Sequence, residues 1–450
     1  MSPADLPRLD DVRVDGWVLA FTAALTIATA MLFGLVPALH AARADTADGL
    51  STSARTGSSR GRSIRRGLVT AEVALAFVLA VGAGLMMRSF TRLQDVNPGF
   101  DPSPILTATV SLPGQYDDDA KSRQFFDQAV ARIRAIPGVV AAGASTRIAL
   151  DGYMWTGDLG IEGRPEVWGR ELRHKWIVPG YFEAIGLRLV SGRSFAPTDD
   201  EKAPRVVVLN QTLARQYFPG QSPVGRRVTF TKPGQPPKWV TVIGVVSDEK
   251  QDGLDAPIMG EVYETHLQKS DSEMTLVARC SGDPAAFVPQ LRQAVASVDP
   301  KVALYNVKTM RERMADTVAR QRLALWLFTF FGGAALLLSG VGVAAVVAFM
   351  VRSRWREIGV RVALGATTAN VLGLVMREGL RSVGLGLAAG VALAAVLSRV
   401  MASLLFETSP SDPVIFAGVA AFILFVSFAA GYLPARVALR IKPSHVLRAE

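Results

Sequence analysis

The chain has 450 residues, half of them hydrophobic and only 20% charged, which excludes a disordered chain and suits apolar spans joined to a folded aqueous part. A net charge of +10 fits either a nucleic-acid binder or the basic cytosolic loops of a membrane protein, and its distribution along the chain decides between them. The single cysteine, Cys280, excludes an internal disulfide, and the four histidines are too scattered to converge with it on a metal.

Residues 1–15 carry Asp5, Asp10, Asp11 and Asp15 against Arg8 and Arg13, the wrong charge for a signal peptide, so no cleaved leader is expected. Residues 16–39 are uncharged and long enough to cross a bilayer, which takes roughly 20 residues. A basic, Ser/Gly-rich loop (40–66) follows and closes on Arg55, Arg60, Arg62, Arg65 and Arg66. The second span, 67–87, contains one carboxylate, Glu72, within about two turns of its cytosolic edge. Snorkelling or a helix partner accounts for it, and a proton relay is the functional alternative, although no second acidic residue in the spans supports one.

Residues 88–322 read as one aqueous domain, with Pro/Gly turns, alternating strands and amphipathic helices. A strand at 105–112, a helix at 118–136 with Phe125, Ala129, Ile133 and Ile136 inward, and a strand at 139–144 are echoed by 274–279, 284–298 and 302–307. Two such units predict a split βαβ, ferredoxin-like core. Between them, 161–266 holds short strands at 206–209, 227–230 and 239–246 and is expected to form a separate β-rich subdomain. A helix over 307–322 is expected to run into the third span as a stiff stalk, because no Pro or Gly interrupts it.

The third span, 323–351, is uncharged, and a coupling segment, 352–381, follows it. In its first part, 351–366, Trp355, Ile358 and Val362 share one helical face and Arg354, Glu357 and Arg361 the other, with Gly365 as the stop. Thr367 and Thr368 can cap the next helix, which carries Arg377, Glu378 and Arg381 before the fourth span at 382–405. A polar turn, a fifth span at 413–435 and a basic tail at 436–450 complete the chain. Basic residues lie after spans one, three and five and before spans two and four, which puts residues 1–15 and 88–322 outside the cytoplasm and leaves no nucleic-acid partner.

Set 397 positions apart, Asp15 meets Asp412, Gly34 meets Gly431, Pro37 meets Pro434, Ala38 meets Ala435, Ala41 meets Ala438, Arg43 meets Arg440 and Leu50 meets Leu447. The first span therefore reads as the last helix of a preceding repeat, with spans two to five forming one complete unit. No P-loop, G-x-S-x-G or H-E-x-x-H motif occurs, so no catalytic residue, cofactor or metal site is expected, and the chain does not read as an enzyme.

The run REIGVRVALGA at 356–366, the step Arg377-Glu378-Gly379-Leu380 and one long insertion after the first span of a four-span unit resemble the type VII ABC transporter permeases, the MacB/FtsX-like family. The segments VPGYFEAIGLRLVSGRSF (178–195), VVVLNQTLARQYFPGQSPVGRRV (206–228) and VIGVVSD (242–248) are similar to the periplasmic core of that family. So is GLMMRSFTRLQDVNPGFDP (84–102), which looks like the tandem-duplicated acidobacterial members. The resemblance implies a membrane α-helical fold of five spans, with a large α+β extracytoplasmic domain and an FtsX-like permease domain at 323–443. It also implies mechanotransmission in a bacterial inner membrane, driven by a separate ABC ATP-binding subunit, since this chain carries no ATPase. The expected assembly is a homodimer or a pair with a related permease half, with a periplasmic adaptor or outer-membrane partner. On this resemblance Arg354, Trp355, Glu357, Ile358 and Arg361 are the ATPase-coupling candidates, although Trp355 can equally anchor the helix at the lipid interface. The functional alternative is an FtsX-like regulator of an extracytoplasmic cell-wall hydrolase or signalling partner.

Overall fold

The computed structural model describes residues 16–31, 57–152, 156–157, 159–164, 172–231, 234–353 and 367–438. The chain divides into two compact units, Asp95–Val318 and a second made of Met1–Gln94 with Ala319–Glu450.

The first helix, α1 (Gly16–Ala30), has no charged residue. Its Thr22 and Thr26 hydroxyls donate back to the carbonyls of Val18 and Thr22 at 2.7 Å, which satisfies them without solvent. The second, α2 (Gly57–Gln94), is one helix of 38 residues. It begins inside the segment expected as a loop (40–66), because the arginines there are good helix formers and neither Pro nor a turn signal separates them from the apolar run.

In the Asp95–Val318 unit, β1 (Ile105–Ser111), α3 (Asp119–Arg134) and β2 (Val139–Ser145) form the first strand-helix-strand. Asp118 starts α3 by accepting from Ala120 N, and the helix buries Phe125, Phe126, Ala129, Val130 and Ile133. The middle of the chain supplies β3 (Thr156–Gly157), β4 (Gly160–Ile161), β5 (Leu172–Val178), α4 (Tyr181–Ile185), β6 (Leu189–Gly192), β7 (Val206–Asn210) and α5 (Gln211–Tyr217). It continues with β8 (Arg227–Thr229), β9 (Val240–Val246) and β10 (Glu261–Thr265). The closing unit is β11 (Glu273–Cys280), α6 (Val288–Ala296) and β12 (Leu304–Thr309), followed by α7 (Met310–Thr317).

Strands β12-β1-β11-β2 lie side by side, each antiparallel to its neighbour, in the order of a split βαβ core. The β-rich middle does not form a separate sheet, contrary to the sequence expectation. It continues the same sheet as β5-β10-β7-β9-β8-β4, joined through the pairs Ala144↔Val178 and Ser145↔Ile177. The reason is the unpaired edge of β2, which is covered by another strand instead of being left exposed. In this half β5 with β10 and β7 with β9 are parallel, and β7 is buried at every position, as strands covered on both faces are.

The continuous stalk expected over 307–322 is not there. The strand β12 runs to Thr309, whose hydroxyl accepts from Glu312 N while Glu312 reaches back to Thr309 N, a capping box that starts α7 at Met310. Val318, at φ −102 and ψ 5, ends it, and α8 (Ala319–Ser353) is a new helix. Arg313 fastens α7 to the sheet, with Nε donating to Thr107 Oγ1 at 2.7 Å and Nη2 to the Asn306 carbonyl at 3.2 Å.

In the other unit α2 packs with α8, α9 (Thr368–Val400) and α10 (Pro413–Ala438). Val69, Val73, Phe77, Val81 and Leu85 repeat every four residues along α2 and meet Val343, Val347 and Met350 of α8, Val383 and Ala394 of α9, and Ile423 of α10. Gly386 and Gly390 let α9 come close: a Cβ at Gly386 would lie 2.8 Å from the Thr70 carbonyl, and one at Gly390 3.1 Å from that of Ala74. Four helices among the described residues are long and apolar enough to cross a membrane, Arg66–Gln94, Ala319–Val351, Gly379–Leu404 and Pro413–Tyr432. The fifth span, expected at 16–39, is described only as α1 and Met31, which is shorter than a crossing needs. Of the repeat, Asp15, Gly34, Pro37, Ala38, Ala41, Arg43 and Leu50 lie outside the described residues; α1 begins at Gly16, which the repeat sets against Pro413, the first residue of α10.

Candidate functional site

The coupling candidates Arg354, Trp355, Glu357, Ile358 and Arg361 lie outside the described residues. The segment is bounded by the end of α8 at Ser353 and by Thr367, which caps α9 by accepting from Asn370 N at 3.4 Å.

Glu72 sits on α2 where α8 presents Gly342, and a Cβ at Gly342 would overlap Glu72 Oε2. That oxygen is buried at the helix contact and has no hydrogen-bond partner among the described residues, while the residue as a whole is half-buried. One turn of glycine surface is what makes room for it. At the far end of α2, Arg88 pairs with Asp412, and Asp412 also caps α10 by accepting from Val414 N at 3.0 Å. Ser89 Oγ beside it accepts from Phe406 N at 2.8 Å. The Asp412-Pro413 step is a legible helix start, but its partner on α2 is not.

The Asp95–Val318 unit holds a charged cluster that sequence reading missed. Lys175, Glu249, Glu261, Tyr263 and Tyr181 are all fully buried. Lys175 Nζ lies 2.5 Å from Glu249 Oε1 and 2.9 Å from Glu261 Oε1. Tyr263 Oη donates to Glu261 Oε2 at 2.7 Å and lies 3.1 Å from Glu249 Oε1, while Gln251 Nε2 donates to Glu261 Oε2 at 3.1 Å. The parallel register sets Tyr263 against Lys175, and Glu261 two residues earlier shares their face. Glu249 and Gln251 come from the connection between β9 and β10. Burial pushes the Glu249 carboxyl up, more than Lys175 pulls it down. Burial pulls Lys175 down, yet Glu249 and Glu261 outweigh it and hold the lysine well above its ordinary value. Burial, then the field of Glu249, pushes Tyr181 and Tyr263 well above theirs.

Two histidines of this unit lie beside carboxylates: His174 Nδ1 is 3.2 Å from Glu264 Oε1, and His266 Nε2 is 3.0 Å from Asp127 Oδ1. Among the described residues no three His, Cys, Asp or Glu side chains are placed to hold a metal ion.

A packed bundle of apolar helices with one large folded insertion between its members defines the class as a membrane protein with an extracytoplasmic domain. The chain belongs to the MacB/FtsX-like family of type VII ABC permeases: residues 21–296 match the MacB-like periplasmic core domain and residues 329–443 the FtsX-like permease C-terminal. It is 28% identical over 399 residues to the macrolide export ATP-binding/permease protein MacB of Rhodospirillum rubrum, covering 85% of this chain and 57% of that protein. It is 27% identical over 281 residues to the uncharacterized ABC transporter permease YknZ of Bacillus subtilis, covering 61% of this chain and 69% of that one. With MacB of Aggregatibacter actinomycetemcomitans the identity is 28% over 199 residues, 42% of this chain and only 30% of that protein, so the chain spans less than a third of that relative. Among solved structures, the periplasmic region of MacB from Actinobacillus actinomycetemcomitans aligns with 50% of this chain and 94% of that one at 16% identity and a TM-score of 0.34. The extracellular domain of YknZ aligns with 45% of this chain at 17% identity and a TM-score of 0.30.

Proposed function

We propose that this chain is the permease subunit of an ABC-type export system, which passes the stroke of a separate cytosolic ATP-binding subunit to its extracytoplasmic domain. The observation that carries this reading is the interior of the bundle, where valine, phenylalanine, leucine and methionine side chains fill the space between α2, α8, α9 and α10. A packed interior supports movement of whole helices in preference to a path for substrate between them. The working assembly on this reading is a homodimer, or a pair with a related permease half, in a bacterial inner membrane with an extracytoplasmic adaptor. The repeat of the first and last spans supports descent from a tandem-duplicated permease.

The coupling helix at 351–366 is the proposed contact with the ATPase, with Trp355 and Ile358 seated in a cleft and Arg354, Glu357 and Arg361 on its rim. Truncating a central aromatic anchor costs on the order of 2 kcal/mol or more, and rim charges cost less. Trp355→Ala is therefore expected to abolish co-purification of the ATP-binding subunit, and Arg354→Ala to weaken it. Undiminished co-purification with Trp355→Ala, from membranes holding normal amounts of permease, would leave Trp355 as a lipid-interface anchor and overturn the docking. Stimulation of ATP hydrolysis by an exported substrate in vesicles supports export; retention of a cell-wall hydrolase by the chain, without such stimulation, supports the regulator instead.

A further inference from the structure

The connection between β9 and β10, residues 247–260, is tied to three other parts of its own unit. Lys250 N donates to the Pro98 carbonyl at 2.9 Å, and Leu150 N and Gly152 N donate to the carbonyls of Lys250 and Gln251 at 3.1 and 3.4 Å. Asp248 accepts from Thr212 N at 2.8 Å and from Thr212 Oγ1 at 3.0 Å, at the start of α5. Gly99, at φ +94, lies directly against the Asp248 carbonyl. Between Asp248 and Lys250 stands Glu249, which points into the buried cluster. This strap therefore holds the entry of the unit, the 150–152 loop and α5 together, with Glu249 as its central pin.

With both carboxylates ionised, one lysine faces two glutamates and the cluster carries a net charge of −1 in a place with no solvent. A buried charge without a compensating partner is strongly disfavoured, so it is neutralised by taking up a proton. Glu249 Oε2 is the carboxylate oxygen that no hydrogen-bond donor and no cation reaches, and Tyr181 Oη is likewise buried without a partner. We propose that Lys175, Glu249 and Glu261 form a proton-binding site that locks the 247–260 strap, and that loss of the proton releases it. The step is Glu249 carboxylate plus H⁺ giving the carboxylic acid, and it takes the cluster from −1 to neutral.

The groups facing Glu249 are Lys175 of β5, Glu261 and Tyr263 of β10 and Tyr181 of α4, with Asp151 adding its field at Tyr181. Lys175 stays charged and the two tyrosines stay neutral through the neutral range, since all three are pushed upward. Glu249 is the carboxylate whose free oxygen offers a place for the proton. Its carboxyl is raised in the fold, so the stabilisation is complete below the unfolded carboxyl value and is lost as pH rises through the folded one. The strap is thus held on the acid side and freed on the alkaline side, the reverse of an ordinary salt-bridged carboxylate. On the proposed topology the proton comes from outside the cytoplasm.

The test is amide hydrogen exchange of the 247–260 peptide in the full chain in lipid nanodiscs, corrected for the intrinsic pH dependence, from about pH 4, near the ordinary glutamate value, to about pH 9. Protection is expected to fall at least about tenfold across that range. Glu249→Gln and Glu261→Gln each leave one lysine against one glutamate, so both variants are expected to show flat protection. A wild-type strap equally protected at both ends overturns the site, and so does a fall of the same size in the wild type and in whichever Gln variant folds. The measurement needs no partner subunit, so it is independent of the transport reading.

Discussion

At the scale of single residues, close backbone approach and buried charge are what a linear pattern reads worst. Gly143 of β2 pairs with Val277, and its other side meets the chain at α4, where a Cβ would lie 2.5 Å from Tyr181 N and 2.6 Å from Tyr181 Cα. Backbone atoms cannot turn aside as a side-chain tip can. Gly143→Ala is therefore expected to destabilise the Asp95–Val318 unit by about 2 kcal/mol, the range of core overpacking, read as a shifted urea midpoint for protease resistance of that unit in the full chain. Unchanged resistance would mean that α4 moves away without cost. Lys175 was invisible for a related reason: in the run LRHKWIV a lysine on an alternating strand looks solvent-facing, and its two glutamates lie 74 and 86 positions away. The thiol of the single cysteine, Cys280, is buried, and that burial pushes it up to about 11.

At the scale of elements, strands and helices of the split βαβ core were legible because their apolar periodicities differ, and Asp118, with Pro137-Gly138, marks the ends of α3. The break in the stalk has a sequence signal that the absence of Pro and Gly does not cancel: Thr309 and Glu312 are three apart, as a capping box requires. Thr309→Ala removes that cap and is expected to cost α7 about 1 kcal/mol. The readout is faster exchange of the amides at 310–313, with β1 unaffected. Equal exchange in both proteins would mean that Arg313, through Thr107 and the Asn306 carbonyl, holds α7 without its cap.

At the scale of the whole molecule, the proposed topology places residues 40–66 and 88–322 on opposite sides of the membrane, from the alternation of basic residues about the spans. Single-cysteine labelling tests it, and the buried Cys280 is expected to stay silent toward an impermeant maleimide. On that background Ser222→Cys, at an exposed position, is expected to react in intact cells, and Ser59→Cys only after the membrane is opened. Reaction of both from the same side would overturn the orientation.

The amino-acid sequence by itself determined the apolar helices, the folded insertion between them and the family, because these depend on runs of hydrophobicity, charge alternation and local motifs carried by neighbouring residues. Tertiary structure alone decided that the β-rich middle joins the ferredoxin-like core in one sheet, that Gly342 receives Glu72, that Arg88 meets Asp412, and that Lys175 is enclosed by two carboxylates. Strand pairing and buried ion pairs unite residues tens or hundreds of positions apart, and their energies come from desolvation and register, which no local window of sequence contains.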